Sequence, residues 1–276
     1  MLNILSNRTY RHLFMAQVIA LIGTGLATVA LGLLAYDLAG DRAGAVLGTA
    51  LAIKMSAYIL VAPVAAAFAD KFPRRTMLVT LDLVRALVAI TLPFVTQIWE
   101  IYILIFILQA ASAAFTPTFQ ATIPDILPDE REYTRALSLS RLAYDLESVI
   151  SPMLAAALLT VMSFHNLFAG TAVGFLASAA LVVSVTLPKM KALTVKRSIY
   201  DKTTRGMRIF LKTPRLRGLL ALNMAVAAAS AMVIVNTVVL VQADFGFSQR
   251  STAIALAFFG VGSMVSALVL PRLLDN

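Results

Sequence analysis

The sequence predicts an all-α, polytopic membrane protein with eight transmembrane helices, and three observations predict it. Eight long apolar stretches run through 276 residues, of which 60% are hydrophobic and only 13% charged. Mean hydropathy is +0.86, and a soluble domain of this length carries roughly twice the charge. Nearly all the basic residues fall in alternate gaps between the apolar stretches. A helix needs roughly 20 apolar residues to cross about 30 Å of hydrocarbon. On that measure spans are read near 14–37, 44–68, 77–97, 100–123, 137–162, 166–187, 217–242 and 251–271.

Span 1 is too long for the apolar core of a signal peptide and is expected to remain in the protein. It carries Gly23, Gly25 and Gly32, small residues that permit close helix approach or bending. Pro63, Pro93, Pro117 and Pro152 fall inside spans 2 to 5. Each removes a backbone donor, which is tolerated where neighbours satisfy the freed carbonyl. Connections are short until span 6, after which Pro188 to Arg217 forms a gap rich in Lys, Arg and Thr. A short amphipathic helix is expected there, around Arg205–Lys212. Three segments follow from this layout: 1–187 as a six-helix bundle, 188–216 as a basic linker, and 217–276 as two further helices. Six spans, a linker and more spans is the layout of transporters built from two six-helix halves. The chain is therefore expected to be a fragment, or a transporter that stops early, with its last two helices packed more loosely than the first six.

Cationic residues set the expected orientation. With the N-terminus in the cytoplasm, nineteen of the 23 Lys and Arg residues lie in cytoplasmic segments, ten of them between Lys189 and Arg217. Only Arg42 and Arg250 lie in outer loops. Cytoplasmic loops carry this excess in multispanning proteins, so a multi-pass protein with its N-terminus in the cytoplasm is expected. Topology also accounts for the net charge of +9; no aromatic-rich basic patch of the nucleic-acid-binding kind accompanies it, and no nucleic-acid partner is expected. The chain has no cysteine and two histidines, His12 and His165, which this threading puts on opposite sides of the membrane. No metal or other cofactor is expected, nor is an enzyme: there is no nucleotide-binding loop and no nucleophile–base–acid set.

The loop between spans 2 and 3 reads Ala66-Ala67-Phe68-Ala69-Asp70-Lys71-Phe72-Pro73-Arg74-Arg75. It resembles the cytoplasmic signature of the major facilitator superfamily, G-x-L-A-D-R-x-G-R-R/K. Asp70, Arg74 and Arg75 match, Lys71 keeps the charge, and Ala66 and Pro73 replace glycines. A carboxylate at a helix end followed by two guanidinium groups can pair across an interface and hold one conformation. Asn7-Arg8-Thr9-Tyr10-Arg11, Ala35-Tyr36-Asp37-Leu38-Ala39-Gly40 and Gln120 to Pro128 add a similarity to the enterobactin exporter and macrolide efflux branch. The resemblance implies a complete first bundle plus two helices of a second, and a proton-coupled exporter of small hydrophobic or amphiphilic compounds. It leaves open an importer of the same fold, or a non-transporting membrane protein. Two departures qualify the antiport reading. The family's span-4 arginine would align with Phe106, and its span-5 antiporter signature is met by Ser151-Pro152 and Ala155-Ala156, with Glu147 in place of a glycine.

Charges inside spans cost roughly 2.5 to 3.5 kcal/mol each on insertion scales, so each needs a reason. Lys54 lies ten residues into span 2, where it can bind an anionic group, exchange a proton or form an ion pair. Asp82 and Arg85 stand at i and i+3, Arg141 and Asp145 at i and i+4, and both pairs can close locally. Glu147 lies about 200° round the helix from Asp145 and shares a face with Ser140, Tyr144 and Ser151. It is expected to carry a proton, with Lys54 as a possible partner, or else to form a cross-helix salt bridge. Phe14, Met15, Phe106, Phe115 and Phe119 can line an apolar cavity, although such residues more often face lipid or neighbouring helices. A small-molecule substrate, protons and the lipid bilayer are the expected partners.

Overall fold

The computed structural model describes residues 2–68, 72–188 and 199–274, and among these every regular element is helical. The helices are α1 (Arg8–Ala39), α2 (Ala43–Phe68), α3 (Arg74–Thr91), α4 (Ile98–Ile126), α5 (Glu130–Leu158), α6 (Phe164–Val183), α7 (Ile199–Lys212), α8 (Pro214–Val239) and α9 (Gln249–Leu274). Local chemistry sets several of their starts. Asn7 Oδ1 accepts from Tyr10 N at 3.1 Å, and Asp129 Oδ1 accepts from Arg131 N and Glu132 N at 2.9 and 3.0 Å. At α4, Glu100 reaches back to the backbone of Thr96 and Gln97, at 3.0 Å each. These caps supply partners for amides that the first turn leaves unsatisfied. Gly40, at φ +53°, gives the sharp reversal from α1 into α2 that a side chain would strain.

By length and composition, five described stretches can cross a membrane: Arg8–Phe68 (α1 and α2 in continuity), Arg74–Phe94, Ile98–Ile126, Phe164–Val183 and Pro214–Asp244. Helix α5 is not among them because it carries Glu130, Arg131, Glu132, Arg135, Arg141, Asp145 and Glu147. In α9 the shorter apolar stretch is Arg250–Gly262. Span 3, expected to run to residue 97, ends as an α-helix at Thr91. Pro93 lies in the following 3-10 turn, Leu92–Phe94, rather than inside a helix. Its missing N–H closes the helix there instead of kinking it. Pro63, Pro117 and Pro152 do lie within helices.

Helix α1 is the hub, packed along α6 and α5, while α3 packs on α6 and α4, and α2 on α4. Leu26, Ala30, Leu34, Ile101, Ile105, Phe168 and Phe175 centre one apolar cluster. Tyr10, Leu13, Leu78, Phe119, Ile123 and Val182 centre a second. Lipid tails are as apolar as leucine, so small residues and interhelical hydrogen bonds drive such packing. The α1–α6 contact uses both: Gly23 and Gly174 face each other closely, and Thr171 Oγ1 donates to Gly23 O at 2.9 Å. Large apolar side chains such as Ile59, Phe94, Val173 and Phe258 point outward.

The amphipathic helix expected around Arg205–Lys212 is α7, longer by six residues at its N-terminal end; it rests against α2 and α8. The last two long helices differ. Helix α9 packs along α5, whereas the apolar stretch of α8 is only 6% buried. Residues 189–198 of the linker and Asp70 and Lys71 of the loop signature lie outside the described residues.

Candidate functional site

A cavity of about 360 Å³ lies where α1, α2 and α5 meet α8 and α9. Its wall is mostly apolar: Val29, Leu33, Leu47, Leu51, Val238, Leu256 and Phe259. Few polar groups interrupt it, chiefly Lys54 from α2, Glu147 and Ser151 from α5, Thr28 from α1, Ser230 from α8, and Gln242 and Thr252. The two candidates placed on different helices by sequence, Lys54 and Glu147, thus line one space and are near enough to interact electrostatically. Ser151 and Pro152 of the antiporter-like segment line it too.

Gly25 explains how α5 comes so close. A methyl group there would collide with the Ser151 side chain and with Glu147 Oε1. Gly32, two turns further along the same face of α1, meets nothing within 4 Å and leaves room in the cavity. Glu147 also lines a second space of about 280 Å³, an apolar groove between α1 and α5 formed by Phe14, Val18, Ile22, Leu142, Leu146 and Ile150. Its carboxyl therefore stands between the central cavity and the flank of the bundle. Lys54 borders a smaller space beside α4 with Gln109, whose Oε1 has no hydrogen-bond partner among the described residues.

The face of α5 shared by Ser140, Tyr144, Glu147 and Ser151 turns inward. Ser140 Oγ donates to Gln17 Oε1 at 3.0 Å, and the Tyr144 and Thr116 hydroxyls lie 3.2 Å apart. Arg141 and Asp145 pair at 3.3 Å on a flank of the helix, where the arginine is exposed.

The remaining charged candidates lie away from the cavity. Asp82 and Arg85 pair as their spacing implies and are fully enclosed. Ser178 of α6 donates to the second Asp82 oxygen at 2.7 Å, and the Arg85 guanidinium lies between the Phe115 and Phe175 rings. The carboxylate and two aromatic faces replace the water that a buried guanidinium loses. Arg74 pairs with Asp125 at the end of α4, 3.2 Å away, and Arg75 donates to the carbonyl of Val183, the last residue of α6. Both arginines of the loop signature thus bind helices of the first six.

Of the proposed apolar liners, none borders the central cavity. Phe115 and Phe119 sit in the second core cluster, Met15 and Phe106 are exposed, and Phe14 lines the lateral groove. Sequence reasoning missed Gln242 and Thr252, joined by a buried hydrogen bond of 3.0 Å. A polar pair flanking the Phe245–Ser248 turn was the available signal. No group of three His, Asp or Glu residues able to hold a metal occurs among the described residues.

The family model of the Major Facilitator Superfamily matches residues 13–276. An uncharacterized MFS-type transporter, YfiS of Bacillus subtilis, is 24% identical over 220 residues, covering 78% of this chain and 52% of that protein. Macrolide efflux protein A of Enterococcus faecalis is 25% identical over 154 residues, covering 52% of this chain and 47% of that protein. The chain thus spans about half the length of the curated relatives it matches. Among solved structures, the nucleoside transporter NupG superposes with a TM-score of 0.75 at 14% identity, covering 97% of this chain and 68% of that one. A D-xylose-proton symporter superposes with a TM-score of 0.64 at 12% identity, covering 96% and 69%.

Proposed function

The chain belongs to the major facilitator superfamily, and we propose that it acts as a secondary transporter exporting small hydrophobic or amphiphilic compounds in exchange for protons. Membership sets it among membrane transport proteins rather than enzymes. In this reading eight helices cross a bacterial inner membrane with the N-terminus in the cytoplasm. The first six, residues 1–187, form one bundle, and 217–276 supply two helices of a second across the basic linker 188–216. The two bundles rock about the central cavity.

One observation carries the reading: Lys54 and Glu147, from two different helices, line a single, mostly apolar cavity of drug-site size. An apolar wall accepts a hydrophobic body, and a carboxyl beside an ammonium group can bind and release a proton as access alternates. Similarity to macrolide efflux proteins supports the direction and the substrate class. Asp70, Lys71, Arg74 and Arg75 then form a conformational lock at the cytoplasmic end, with Arg74 and Arg75 holding α4 and α6. Asp82 with Arg85, and Arg141 with Asp145, are structural pairs.

Expression in a drug-sensitive bacterial host tests this. The chain should lower accumulation of a macrolide or a lipophilic dye, and collapse of the proton gradient should cancel the effect. Glu147→Gln should abolish proton-dependent efflux while leaving the protein in the membrane. Wild-type efflux by Glu147→Gln would remove Glu147 from the coupling step. Proton-driven accumulation, rather than depletion, of the compound would reverse the direction. The exposure of α8 favours one second reading, a non-transporting membrane protein that binds a partner; an unchanged accumulation at full expression would select it.

A further inference from the structure

Helix α7 stands apart from the transport cavity. It has 14 residues, about 21 Å of helix, too short to cross a bilayer. Met207, Phe210 and Leu211 fall within an arc of about 100° on its surface, and they are 61%, 41% and 53% exposed. Its contacts with α2 and α8 leave these three side chains uncovered. Arg208 and Lys212 are exposed within about 40° of each other on the other side of the helix, which carries the exposed Ile209 as well. A single residue, Thr213, separates α7 from α8, whose first turn adds exposed Arg215 and Arg217. Between Asp201 and Asp244 the chain contains no acidic residue.

Helix α8 opens a stretch apolar enough to cross a membrane at Pro214, which puts Lys212 at its boundary. A helix there, apolar on one side and cationic on the other, has the construction of an interfacial helix. We propose that α7 lies in the membrane interface and binds anionic lipid. Met207, Phe210 and Leu211 enter the acyl boundary, and Arg208, Lys212, Arg215 and Arg217 engage lipid phosphates. The occupant is lipid rather than an acidic protein because the cations continue directly into a membrane-spanning helix, so they meet headgroups before any soluble partner. A linker fixed this way couples the lipid charge of the leaflet to the placement of α8, which forms one wall of the cavity.

The absence of cysteine makes the test direct. Phe210→Cys and, separately, Met207→Cys are introduced as reporters, and the full chain is placed in lipid nanodiscs of phosphatidylcholine or phosphatidylglycerol. A water-soluble maleimide then reads exposure. Labelling should be several-fold slower in phosphatidylglycerol. Arg208→Gln with Lys212→Gln, removing two charges worth a combined factor of about 30 in preference for an anionic surface, should restore the phosphatidylcholine rate. Equal labelling of both reporters in the two lipids overturns the proposal. So does slow labelling that persists in a monodisperse neutralised variant. Protection that appears only on adding an acidic protein would assign the face to that partner instead.

Discussion

Gly25 and Glu147 share one contact between α1 and α5, and that crowding limits what either position tolerates. Gly25→Ala forces a methyl group into Ser151 and the Glu147 carboxyl, and overpacking of this kind costs about 1–3 kcal/mol. Its melting temperature in detergent should fall. Gly32→Ala, facing open space, should be neutral or stabilising by up to about 1 kcal/mol, since alanine favours the helix. Equal effects at both positions would contradict the packing described. Charged pairs divide in the same way. Arg85→Leu strands the enclosed Asp82 and should cost about 3–5 kcal/mol, with much of the loss recovered when Asp82 is also replaced by leucine. Arg141→Gln breaks a pair that is 79% exposed at the arginine and should leave the denaturation midpoint unchanged. The i, i+3 and i, i+4 spacings announced both local pairs. They did not reveal Ser178, Phe115 or Phe175 around Arg85, because those partners come from α4 and α6.

The helices themselves were largely legible. Apolar runs located most of them, whereas the caps at Asn7, Asp129 and the Gln97–Glu100 box that fix three of their starts came from the structure. Boundaries failed where apolarity continued past a break: the run through Pro93 reads as one span, but the backbone closes α3 at Thr91. At the other end of that helix, Arg74 and Arg75 tie α3 to α4 and α6. A double-mutant cycle of Arg74→Ala and Asp125→Ala should return a coupling of about 0.5–1 kcal/mol. Because Arg74 makes a further interaction, Arg74→Ala should cost more than Asp125→Ala. Chemical denaturation measures both, and a cycle that closes at zero would show that the 3.2 Å contact contributes nothing to stability.

Across the whole molecule, packing is uneven. Helices α1, α3, α4 and α6 enclose the two apolar clusters, and α9 is held along α5. Most of α8 lies open, with Leu222, Met224 and Met232 more than 60% exposed. Regions with few buried contacts open at lower free energy, so amides between Leu219 and Met232 should exchange faster in detergent than those between Leu167 and Phe175. Matching rates would mean that α8 is as firmly held as the core. Composition and the distribution of charge determined by themselves that lipid surrounds this chain, because the cost of placing charge in hydrocarbon depends on how many residues carry it and how they are grouped. The family signature and the i, i+4 pairs were local enough to read as well. Only the tertiary structure decided that Lys54 and Glu147 border one cavity, that Phe14, Phe115 and Phe119 do not, and that Gln242 and Thr252 complete its far wall. Lys54 and Thr252 stand 198 positions apart in the chain (252 − 54), and the rotation of each helix about its own axis is set by neighbours such as Gly25 and Gly174 rather than by the helix's own residues.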